Sequence, residues 1–128
     1  MTIPSRDNQI LQKIYEYCCQ IMYTHDEFHR EYSAFCNSPT YRNAIALCFL
    51  QIGELVKKLS DEFIQTHTEI PWRAIRGMRN VVAHEYGSID VDTMWETLDT
   101  GIIELRDFCE KLLKQQQEQT PSTGVTMQ

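Results

Sequence analysis

In Val91-Asp92-Thr93-Met94-Trp95-Glu96-Thr97-Leu98-Asp99-Thr100-Gly101-Ile102-Ile103-Glu104-Leu105-Arg106-Asp107-Phe108-Cys109-Glu110-Lys111-Leu112 the apolar positions are regularly spaced. Val91, Trp95, Leu98, Ile102, Leu105, Cys109 and Leu112 step by four, three, four, three, four and three. Only a helix gathers such positions onto one stripe, and a stripe of this period is a bundle seam. Asp90 or Asp92 is the expected start of this helix.

Upstream, the same period recurs. Ile10, Ile14, Cys18, Ile21 and Met22 predict a first helix, capped by Ser5 and running to about Tyr23. Thr24 and Glu27 have capping-box spacing for a short second helix carrying Phe28, Tyr32 and Phe35. Ser38-Pro39 pairs a capping serine with proline at the first helical position. The third helix then runs to about Leu59, with Ala44, Ile45, Cys48, Ile52, Leu55, Val56 and Leu59 inward. Asp61–Gln65 reads as a short helical extension, Pro71 opens a fourth helix, and Gly87 stops it as a left-handed cap. After Lys114 the chain turns Gln-rich and reaches Pro121-Ser122-Thr123-Gly124. The expected fold is all-α: an up-and-down bundle of four main helices plus a short one over residues 1–115. A disordered tail is expected over 116–128.

Composition narrows the class. The 128 residues include 42% apolar ones, enough for one real core, and only five Gly and four Pro. No apolar run nears the roughly 20 residues a bilayer span needs, and no secretory signal is evident at the N-terminus. Five cysteines without Cys-x-x-Cys spacing suggest reduced thiols in a cytoplasmic protein. The net charge of -6 argues against a broad nucleic-acid coat, yet Arg73, Arg76 and Arg79 between Ile70 and Tyr86 oppose only Glu85. That basic island points to an anionic ligand.

On a helix, Pro71, Ile75, Met78 and Val82 form the inward stripe of this segment. Arg73, Arg76, Asn80 and His84 share the opposite face within about 80°, while Arg79 lies about 140° from His84. One straight helix does not put Arg79 beside His84. Either the helix distorts near its end or a second copy completes the site. The plainer alternative is a solvated arginine face, with His84 favouring the negative end of the helix dipole.

Arg79-Asn80, three residues, then His84-Glu85-Tyr86 resembles the Arg-x4-His-x-Tyr signature of the HEPN superfamily. Leu50-Gln51-Ile52-Gly53-Glu54-Leu55-Val56-Lys57-Lys58-Leu59-Ser60, Ile70-Pro71-Trp72-Arg73, Ile89-Asp90 and Trp95-Glu96-Thr97 are also similar to its HepT-like ribonucleases. These are the toxins of HepT/MntA-type toxin–antitoxin pairs. The resemblance covers about residues 8–114 and implies a HEPN-like bundle acting as a homodimer. It also implies a metal-independent endoribonuclease that needs no cofactor.

On this reading Arg79 and His84 are catalytic, Asn80 orients or binds, and Arg73 and Arg76 bind neighbouring phosphates. RNA is the substrate, and no membrane is involved. A nucleotidyltransferase antitoxin of the MntA type is the implied partner, attaching AMP to Tyr86. The rival reading is a non-catalytic HEPN module that docks a nucleotidyltransferase or binds nucleotide or RNA without cutting.

Other signals are weaker. His25 and His29 lie four apart, as two metal ligands would, but Asp26 stands where a zincin carries Glu and no third ligand is evident. Surface histidines are the expected reading. Gly53, inside a good helix, suggests close approach of another helix, from this chain or a second copy. Glu54 matches a position of the resembled family without an assigned role, and Gly77 raises the same question as Gly53. No Walker loop or dinucleotide fingerprint occurs.

Overall fold

The computed structural model describes residues 3–85, 87 and 90–119. Helices α1 (Ser5–Glu27), α2 (Tyr32–Asn37), α3 (Pro39–Lys57) and α4 (Asp61–Thr66) come first. They are followed by α5 (Trp72–Glu85), α6 (Val91–Glu96), a π turn (Thr97–Gly101) and α7 (Ile102–Gln119). No strand occurs among the described residues. Among the described residues, with α6, the π turn and α7 counted as one rod, four long helices form the expected all-α bundle, α2 is the short helix and α4 the helical extension expected after α3. Helix α1 packs against α3 and α7, and α5 folds back along α3.

The periodicities find the core. Ile14, Cys18 and Ile21 of α1 and Ile45 and Ile52 of α3 are fully or almost fully enclosed, as are Leu98, Leu105 and Cys109 of the C-terminal rod. Ser38 caps α3 as expected, its hydroxyl accepting from the Tyr41 amide at 3.2 Å behind Pro39. Asp90, rather than Asp92, caps α6.

The boundaries differ in instructive ways. Pro4, not Ser5, is the cap of α1, and Ser5 is already helical. The helix then runs four residues past Tyr23. The Phe28 amide bonds the Thr24 carbonyl, so Thr24 is an interior residue and cannot cap α2. The chain instead reverses at His29 and Arg30, both left-handed at φ 58° and 53°. Ala44 is exposed, because Ile45, Ala46 and Phe49 take the inward positions. Helix α5 ends at Glu85, and the cap expected at Gly87 follows Tyr86, which lies outside the described residues. The seam helix is interrupted, since the Ile102 amide bonds the Thr97 carbonyl five residues back. Leu98 and Ile102 remain buried on either side of that turn. Helix α7 continues through Gln119, so residues 116–119 are helical where a tail was expected. Residues 120–128 lie outside the described residues.

His25 reverses its expectation of exposure. It is completely buried, with Nδ1 bonded to the Tyr41 hydroxyl. Its ring meets Trp95 edge-on at 5.3 Å, and Tyr41 stacks on Phe28 at 4.3 Å. The π turn brings Asp99 to 3.7 Å from His25 Nε2. This aromatic box joins α1, α3 and α6. His29 stays exposed, and no metal-binding cluster of His, Cys, Asp or Glu occurs among the described residues.

Burial lowers the His25 pKa below the ordinary histidine value, Arg30 acts in the same direction, and Asp99 and Asp26 oppose them. The unfolded chain therefore takes up this proton at higher pH than the folded one. Stability is full above the ordinary histidine range and falls as pH drops through it toward the folded value. The unfolding free energy from urea titrations should fall as pH drops from about 7.5 to about 5.5, by at most about 1.4 kcal/mol per pH unit for one proton. In His25→Gln that dependence should flatten, although the variant is less stable at every pH. An unchanged slope in the variant would remove His25 as its source.

Candidate functional site

Helix α5 is fastened at its start. Trp72 is buried, its indole Nε1 donates to the His67 carbonyl at 2.7 Å, and its ring packs edge-on to Phe63 and Phe108. The Ile75 amide reaches back to the Pro71 carbonyl, which begins the helical ladder. Farther along, the expected inward stripe is only partly covered. Pro71 is exposed, while Ile75, Met78 and Val82 are half-buried. Ala74, Gly77, Met78, Val81 and Val82 line one side of a groove of about 320 Å³, facing Phe49 and Met94. Val81 is 40% exposed. Helix α5 therefore lies on the bundle with part of its apolar surface still open.

The decisive contact is with α3. A Cβ built on Gly53 would stand 2.7 Å from the Arg79 Cβ and 3.0 Å from the Arg79 amide nitrogen. No real Cβ tolerates that, so the missing side chain is what lets the two helices approach. The approaching helix belongs to the same chain. Gly77 differs, since a Cβ there would meet nothing within 4 Å.

Because Gly53 meets Arg79, its neighbour Glu54 can reach the same residue. Arg79 Nε donates to Glu54 Oε2 at 2.6 Å, and Arg79 Nη1 donates to Asn80 Oδ1 at 3.1 Å. Lys57, one turn along α3, places its ammonium 3.7 Å from Glu54 Oε1. The Arg79 hydrogen bond is the main reason the Glu54 pKa lies below the usual carboxylate range. Side chains of Arg79 and Glu54 remain 29% and 34% exposed, so water screens the pair and its contribution to stability is small.

The residues singled out in the sequence fall into two groups. Arg79 and Asn80 are brought together, with Glu54 and Lys57 added. Arg73, Arg76, Asn80 and His84 are exposed on α5. Arg79 and His84 are not brought together, because α5 is helical from Trp72 to Glu85 without a break between them. Five helical steps send the two side chains out about 140° apart. Tyr86 lies outside the described residues. Glu54 and Lys57 lie outside the Arg79–Tyr86 motif and the basic face of α5. The signal for Glu54 was Gly53, since an interior glycine marks a helix contact and its neighbour must lie near the same partner.

Comparisons with known proteins agree on one family. The family described as "Ribonuclease HepT-like" matches residues 8–112. A Methanocaldococcus jannaschii protein named "Putative RNase MJ1216" is 33% identical over 113 residues, covering 88% of this chain and 92% of its own. A second protein of that organism, "Putative RNase MJ0125", is 32% identical over 118 residues, covering 91% and 99%. "Probable ribonuclease HepT" of Thermococcus cleftensis is 34% identical over 91 residues, covering 70% and 83%. No solved structure matches.

The two glycines give opposite expectations. Alanine favours a helix by about 1 kcal/mol over glycine, so Gly77→Ala should stabilise by up to that amount. Gly53→Ala should instead destabilise by about 1–3 kcal/mol, because α5 must shift off α3. Urea unfolding of both variants measures this. A neutral or stabilising Gly53→Ala would mean that the close approach is not required.

Proposed function

The chain belongs to the HepT-like ribonuclease family, and we propose that it is an RNA endonuclease, the toxin of a toxin–antitoxin pair. The observation that carries this reading is Arg79, held between α3 and α5 by Glu54. It lies on the helix that also presents exposed Asn80 and His84.

RNA carries its own nucleophile. Cleavage joins the 2′-oxygen to phosphorus and breaks the bond to the 5′-oxygen, leaving a 2′,3′-cyclic phosphate. A base must take the 2′-hydroxyl proton and an acid must supply one to the leaving oxygen. Histidine, with an unperturbed pKa of about 6.5, serves either role near neutrality. His84 is assigned this proton transfer. Arg79 stays charged and its fork matches phosphate oxygens. Glu54 takes its Nε edge, so its Nη edge meets the phosphate. Asn80 orients that edge, and Arg73 and Arg76 bind flanking phosphates. The mechanism uses no metal.

Two copies complete the site. A second chain facing the first supplies a second His84, so that one acts as base and the other as acid. It also brings Arg79 of one copy to His84 of the other, which a single unbroken α5 does not. The open apolar stripe of α5 supports such pairing. A nucleotidyltransferase antitoxin silences the enzyme by attaching AMP to Tyr86. Each added phosphodiester brings about one negative charge, which competes with RNA for the arginines.

Protein made without its partner should cleave total RNA in excess EDTA, leaving cyclic phosphate ends, and should spare DNA. His84→Ala should lose about 10²–10⁴ in rate. A folded wild type with unmodified Tyr86 that binds RNA but never cuts it would instead identify a binding module. Equal cutting by both proteins would remove His84 from the chemistry.

Co-expression with the nucleotidyltransferase should add whole AMP units to the intact mass, and Tyr86→Phe should abolish the addition. An unmodified mass in a silenced complex would overturn the Tyr86 assignment.

A further inference from the structure

We propose that Glu54 is the positioning residue for Arg79. Its carboxylate is brought beside α5 by the close approach at Gly53. There it holds the Nε edge of the guanidinium so that the Nη edge is set for the scissile phosphate. This rests on the ribonuclease reading above and names a residue that neither the motif nor its spacing contains.

Four observations carry it. Geometry comes first: Arg79 Nε to Glu54 Oε2 is 2.6 Å, a charge-assisted hydrogen bond to one defined edge of a planar group. Second, the other carboxylate oxygen faces Lys57 Nζ at 3.7 Å, which leaves Oε2 to Arg79. A row Lys57–Glu54–Arg79–Asn80 therefore crosses from α3 to α5. Third, the bond exists only because Gly53 lacks a Cβ where Arg79 passes. Fourth, both partners are about a third exposed, so the pair does little to stabilise the fold. A glycine that weakens α3 and an ion pair of small stabilising value make a poor latch. They make a good jig. An arginine free at the end of a long side chain samples many rotamers, whereas one gripped at Nε presents its terminal nitrogens in a fixed plane.

Glu54 has two other conceivable roles. As a general base it would compete with His84, but a carboxylate bonded to a guanidinium is a poor proton acceptor. As a mere tie between helices, its loss would change melting and leave turnover alone.

Glu54→Ala and Glu54→Gln separate these roles, with circular dichroism to establish folding. In Glu54→Ala, kcat on RNA should fall by about 10- to 100-fold with KM little changed. Glu54→Gln keeps an acceptor for Nε and should recover most of the rate. Its acid limb should coincide with that of wild type, since Glu54 does not carry the titrating proton. A folded Glu54→Ala with wild-type kcat overturns the proposal. So does a Glu54→Gln whose rate is as low as that of Glu54→Ala and whose residual activity has lost the acid limb, which would make Glu54 the base.

The Arg79 Nε–H proton gives a readout free of activity, assigned in 15N spectra by its absence in Arg79→Lys. It should exchange slowly in wild type and Glu54→Gln, and rapidly in Glu54→Ala. Equal exchange in all three overturns the positioning. If the wild type proves inactive on RNA while the exchange pattern holds, the ribonuclease reading fails and the grip of Glu54 on Arg79 stands.

Discussion

The side chain that Gly53 lacks sets how near α5 can lie to α3. Arg79 occupies the space a Cβ would fill, with its own Cβ 2.7 Å from that point. The contact fixes the depth of α5 in the bundle and the reach of Glu54 to Arg79. A helix-interior glycine weakens α3 by about 1 kcal/mol relative to alanine.

A division of labour runs through the molecule. The interior is fastened by apolar burial and by a few enclosed polar groups with defined partners. Asp7 is one, accepting from the Ser60 amide at 2.9 Å and the Ser60 hydroxyl at 2.6 Å. Ser60 in turn caps α4 through the Phe63 amide. His25 is another at its Nδ1, which Tyr41 holds, while its buried Nε2 makes no hydrogen bond and its ring packs on Trp95. The site helix is built differently. Among the described side chains of α5 only Trp72 is deeply enclosed, and the apolar stripe remains half open. A helix fastened at one end and incompletely covered along its length suits a surface that is finished by another molecule.

The fold class was legible because the core obeys one period. The apolar positions Ile10 to Met22, Leu98 to Cys109, and Ile45, Cys48, Ile52, Val56 and Leu59 are buried where their spacing puts them, with Leu55 half-buried. Details failed where tertiary contacts outrank local signals. Thr24 and Glu27 have the spacing of a capping box, yet α1 runs through both, because continuing it buries His25 beside Tyr41 and Trp95. Nothing in a five-residue window announces that box. The π turn is equally hidden, since a seam of threes and fours continues across it without a visible break. At the candidate site, Arg79, Asn80 and His84 could be named from their order in the chain, and the angle between Arg79 and His84 followed from helical geometry. The grip of Glu54 did not follow, because it depends on which residue of α5 passes Gly53, and that register is a property of the packed pair.

On the proposed ribonuclease reading, charge selects where on the surface RNA is held. The chain carries a net charge of -6, yet Arg73, Arg76 and Arg79 lie within seven residues of α5, with Lys57 nearby on α3. A long polyanion is repelled by most of such a surface and attracted to one strip of it, so electrostatics select a place rather than raise general affinity. Glu54 sharpens this. Between Lys57 and Arg79 it cancels part of the field that would hold any phosphate, while leaving one guanidinium edge oriented. On the proposed reading, such a site favours a phosphate that fits the Arg79 plane over one that merely arrives. For an enzyme that cuts RNA, weaker ground-state attraction with a fixed donor plane is the arrangement that favours turnover over binding.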